Sequence, residues 1–66
     1  MLGDIGDLNM RNKLELLARR LKEEQRQLIF NAAYSDAAPS NSSIQRIAQL
    51  ELNIAAIENT IGSLSS

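Results

Sequence analysis

The chain contains no cysteine, no histidine and no tryptophan, and only single copies of phenylalanine, tyrosine and proline. Each absence closes a class. Without Cys no disulfide can staple the fold, and without Cys or His a zinc site of thiolate or imidazole ligands is excluded. The same gap removes the commonest general base and the commonest thiol nucleophile. No Gly-rich phosphate loop and no set of paired carboxylates stands in for them. Glu23 and Glu24, the one adjacent pair of acids, point about 100 degrees apart on a helix and cannot share a proton or a metal. Arg19, Arg20 and Gln27 are placed to engage them. The inventory therefore predicts no enzyme, no cofactor and no metal site.

Long apolar runs are also missing. Nothing approaches the ~20 residues that span a bilayer, and Asp4 and Asp7 precede the first base, Arg11, where a secretion signal would start basic. The expectation is a cytoplasmic protein without membrane contact. Sixty-six residues make one domain at most. Ordering a chain of that size costs on the order of 100 kcal/mol at ~1.5 kcal/mol per residue, which burial in so small a fold barely offsets. With disulfides and zinc excluded, the remaining staple is another protein chain.

What the chain does have is apolar periodicity. Ile47, Leu50, Ile54, Ile57, Ile61 and Leu64 recur at spacings of three and four, the seam of a coiled coil. A second stripe precedes it, Met10, Leu14, Leu17, Leu21 and Leu28, with Ala32 on the same arc at 100 degrees per residue. Residues 8–34 hold no Gly or Pro and are rich in Leu, Ala, Arg, Lys, Glu and Gln, which predicts a helix capped at Asp7 or Asn9. Residues 1–7, with two Gly and two Asp, read as a frayed lead-in or one short turn. Residues 35–43, SDAAPSNSS, read as the loop, because Pro39 lacks the amide hydrogen a helix interior needs and disfavours helical geometry at Ala38. The second helix is expected over 44–62. Ser42 and Gln45 form its capping box, Gly62 is placed as its left-handed end although apolar Leu64 permits another turn, and 63–66 are a tail. The predicted fold is an all-α, antiparallel two-helix hairpin, coiled-coil-like, which completes its core by oligomerisation or with a partner helix.

Apolar residues remain after that seam is filled. Leu16, Phe30 and Tyr34 lie nearly opposite the first stripe, and Phe30 and Tyr34 are the only aromatics. Ile44, Ala48, Leu52, Ala55 and Ala56 form a second strip on the other helix. These residues, Ala56 aside, are the candidate partner-binding set, because a hairpin has one internal interface and the sequence supplies apolar material for two. Charge is uneven as well: residues 11–26 carry six bases against three acids, +3, while the chain from Ile44 onward carries one base against two acids, −1. The cluster Arg19, Arg20, Lys22 and Arg26 raises a nucleic-acid reading, which the acidic pI of about 5.2 and the interleaved glutamates disfavour.

The run LELLARRLKEEQRQL at 14–28, the polar break and the run QLELNIAAIENTIGSL at 49–64 together resemble the small E-type co-chaperones of type III secretion needle subunits. The resemblance is one of apolar spacing over about 50 residues, and the break here is longer and carries Pro39. It implies a helical hairpin that pairs with a helical-repeat chaperone and helps hold a needle-type subunit in the cytoplasm before export. The competing expectations are a homo-oligomer, two hairpins forming a four-helix-bundle adaptor, and a filament or export-apparatus subunit.

Overall fold

The computed structural model describes the backbone of residues 2–65 and the side chains of residues 8–64. It consists of two helices, α1 (Leu2–Tyr34) and α2 (Asn41–Ser65), folded back on one another into a rod 55 × 15 × 14 Å. The fold is the all-α helical hairpin that the periodicity predicts.

Both helices run further than their composition suggests. α1 is already helical at Leu2, so 2–7 are no frayed lead-in, and Asp7 and Asn9 sit inside the helix rather than capping it. Residue 1 lies outside the described residues. Extending a helix that already exists avoids the nucleation cost, so two glycines are tolerated in its first turns. At the other end α2 passes through Gly62 to Ser65 without a left-handed residue, which removes the predicted cap and absorbs 63–65 into the helix. Leu64 supplies the reason: half-buried on the seam, it gains more by one further helical turn than Gly62 costs. Residue 66 lies outside the description.

The loop shrinks to residues 35–40. Its cap is Ser40, not Ser42: the Ser43 N–H donates to Ser40 Oγ at 3.1 Å, and the Ile44 N–H donates to the Ser40 carbonyl at 3.1 Å, opening the helical ladder. The Ser40 hydroxyl also bonds Ser43 Oγ at 3.0 Å, so the reciprocal pair is Ser40–Ser43 and Gln45 takes no part in it. Pro39 stands just before that cap, where its missing N–H costs nothing. On the α1 side the Ala37 N–H donates to Ser35 Oγ at 3.2 Å, turning the chain after Tyr34.

Burial shows the seam directly. On α2 the half-buried and buried positions are 43, 47, 50, 54, 57, 61 and 64, which contain every predicted member; Leu50 is 0% exposed and Ile54 is buried beside it. On α1 they are 11, 14, 18, 21, 25, 28 and 32. Both series step by three and four with a strict seven-residue repeat, so the rod is a two-stranded antiparallel coiled coil. Leu14, Leu21, Leu28 and Ala32 take the expected places. Met10 and Leu17 do not: they are 50% and 41% exposed, and Ala18 is buried in their stead. The correction is geometric. Met10 and Leu17 belong to an arc one residue aside, and the α2 seam of bulky Ile and Leu is best met by small Ala18 and Ala32 alternating with leucines.

Candidate interaction surfaces

Polar side chains occupy the seam at Arg11 and Ser43 near its ends and at Gln25. Gln25 stands at its middle, half-buried, and its Nε2 donates to Glu51 Oε2 at 2.8 Å and to the Ile47 carbonyl at 3.4 Å. A polar group so placed keeps its bonds only when the helices align at this level, so Gln25 pins the register of α1 against α2.

Ion pairs frame the seam on both flanks. On one flank Arg46 Nε and Nη2 reach the two carboxylate oxygens of Glu24 at 2.8 and 3.0 Å, a bidentate pair. The Arg46 guanidinium, hydrogen-bonded to Glu24, holds that carboxyl below the ordinary glutamate range, and Arg46 is raised in return. Glu24 therefore turns to the other helix rather than to Arg19 or Arg20, while Glu23 accepts from Gln27 at 3.3 Å one turn along, as its spacing suggests. On the opposite flank Lys22 Nζ lies 2.6 Å from Glu58.

That second flank carries a shallow cleft of about 260 Å³ over Ala18, lined by Glu15, Arg19, Lys22, Glu58 and Ile61. Small Ala18 leaves the space. Its mixed, open lining suits a side chain from another protein better than an enclosed cofactor. Among the described residues no three Asp, Glu, His or Cys gather into a group able to hold a metal, and no helix is long and apolar enough to cross a membrane.

All seven residues of the candidate partner-binding set are exposed, but the fold does not bring them together. Leu16, Phe30 and Tyr34 share the back of α1, the side turned away from α2; Phe30 is 47% and Tyr34 88% exposed. Arg26 lies over the Phe30 ring at 5.4 Å from its centroid, steadying it by a cation–π contact. Leu52, 72% exposed, is on the back of α2, the opposite edge of the rod. Ile44, Ala48 and Ala55 fall on the flank that holds Lys22 and Glu58, since Ile44 precedes Glu51 and Glu58 by one and two heptads. Ile29, 45% exposed and seven residues after Lys22, joins them there. The sequence pattern hid Ile29, Ala18 and Gln25 because neither their type nor a single-helix period marks them; the seven-residue step shared with α2 is the signal that finds them.

No protein-family model, curated protein or solved structure matches this chain.

Proposed function

We propose that the chain is a non-enzymatic protein-interaction hairpin that acts in the cytoplasm as a small secretion co-chaperone, holding a helical-repeat chaperone or a needle-type subunit through the back of α1. The observation that supports this reading is the placement of the only two aromatics. Phe30 and Tyr34 stand one turn apart, both exposed, on the side of α1 that the hairpin seam leaves uncovered. Large aromatic rings exposed in this way are the residue type that anchors protein interfaces, and an isolated hairpin gains nothing by keeping them in water. Leu16 extends the same face by two heptads toward the N-terminal end of α1. The side-chain inventory agrees, since it holds no His or Cys for chemistry.

Co-expression of the tagged chain with the chaperone and needle subunit of its own secretion system tests the proposal. A stable complex on size exclusion is the expected result, and Phe30→Ala is expected to weaken it by about tenfold or more, a loss of ≥ ~1.4 kcal/mol, with helicity unchanged. No complex with either protein sinks the co-chaperone reading. If Phe30→Ala melts the isolated hairpin, the ring is structural and the back of α1 is not the binding face.

A further inference from the structure

We infer that the flank bearing Lys22 and Glu58 docks a second copy of this chain, the two hairpins lying with their loops at the same end about a twofold axis along the rod. Gln25 bonds Glu51, which sets neighbouring Arg26 level with Glu51, and Arg19 and Glu58 line one cleft. Both sets then repeat by heptads. Going up α1, positions 19, 26 and 33 are Arg, Arg and Ala, while going down α2, positions 58, 51 and 44 at the same levels are Glu, Glu and Ile. Just beside them α1 carries Glu15, Lys22 and Ile29 where α2 carries Gly62, Ala55 and Ala48.

A twofold along the rod lays α1 of one copy on α2 of the other without changing any level. Arg19 then meets Glu58 of the second copy, Arg26 meets its Glu51, and Ala33 meets its Ile44. Lys22 and Ile29, the long side chains, come to rest on Ala55 and Ala48. Every layer pairs opposite charges or large with small, and each contact occurs twice by symmetry. All four helices run antiparallel to their neighbours, as in a four-helix bundle. A twofold across the rod would instead oppose Arg19 and Arg26 to their own copies. The flank of a rod 55 Å long and 15 Å wide is also of the order of the ~800 Å² that each partner gives to a standard interface. Leu16, Tyr34 and Leu52 lie off this flank, while Arg26, which lies over the Phe30 ring, borders both surfaces; Arg19→Glu by itself touches only the flank, so failure of the dimer is separable from failure of the partner proposal.

Sedimentation of the intact chain at high concentration is expected to give twice the chain mass. Arg19→Glu combined with Arg26→Glu is expected to give a monomer of unchanged helicity, neither arginine being part of the seam. Because the chain has no cysteine, single replacements read orientation cleanly. Arg26→Cys mixed with Glu51→Cys is expected to form a 26-to-51 disulfide between chains in preference to 26-to-26 or 51-to-51, and this readout stands even if the charge variant does not fold. A monomeric wild-type chain, or preference for the like-to-like disulfides, overturns the inference.

Discussion

Single residues decide more in this hairpin than its simple outline suggests, because it has few buried side chains and each one counts. Glu24 and Arg46 lie on the solvent-exposed surface, so their pairing is screened by salt and its stabilisation is small. Its direction is nevertheless definite. A carboxyl held below its ordinary range by a hydrogen bond in the fold stabilises the fold fully above the ordinary glutamate pKa, and that contribution is lost as pH falls below it toward the lowered folded value. A carboxyl-detected NMR titration is expected to place Glu24 below the ordinary range, and Arg46→Ala to return it there. Gly62 makes the opposite kind of prediction. It is helical, lacks a positive φ, and a Cβ built on it meets nothing within 4 Å. Gly62→Ala therefore removes unfolded-chain entropy without strain and is expected to raise stability by roughly 0.5–1 kcal/mol in thermal melts.

The elements owe their association to one seam, and the two helices contribute to it unequally. α2 presents an unbroken row of Ile and Leu from Ile47 to Leu64, whereas α1 presents leucines interrupted by Ala18, Gln25 and Ala32. This asymmetry separates two leucines of identical chemistry. Leu50, with no exposure, is expected to cost about 2–4 kcal/mol when replaced by Ala, enough to unfold much of a small hairpin. Leu17, 41% exposed on α1, is expected to cost under about 1 kcal/mol for the same change. Denaturant titration of the two variants checks the assignment, and equal losses would restore Leu17 to the seam. The α2 seam was legible in the sequence because its Ile and Leu residues allow one stripe only. The α1 seam was not, because Met10, Leu14, Leu17, Leu21 and Leu28 form a tidy arc of their own, and nothing inside one helix reveals that the other prefers Ala18.

At the scale of the whole molecule, a rod only two helices thick leaves Phe30, Tyr34, Ile29, Ile44 and Leu52 partly or largely in water. The back of α1 and the charged flank offer two separate ways of covering part of that surface. A molecule that pairs through the flank gains stability by mass action, so its thermal midpoint is expected to rise with protein concentration and to fall when salt screens Arg19, Arg26, Glu51 and Glu58. A midpoint independent of both would mean that the hairpin is complete as a single chain. The candidate contacts were legible as exposed apolar residues in excess of one seam. Their division among three sides of the rod was not, since it depends on which edge of each helix turns toward the other.

Composition and period alone determined that there would be two helices, that they would part near Pro39, that α2 would bury its Ile and Leu row, and that thiol and imidazole chemistry would be absent. These are properties of consecutive residues and need no knowledge of what lies opposite. The choice of Arg11 and Ala18 over Met10 and Leu17, the helix ends beyond Gly6 and Gly62, and the levelling of Arg26 with Glu51 were decided only by packing. The physical reason is that a helix stripe specifies a face to within about one residue's rotation, and the energy separating adjacent rotations resides in the complementary surface of the other helix.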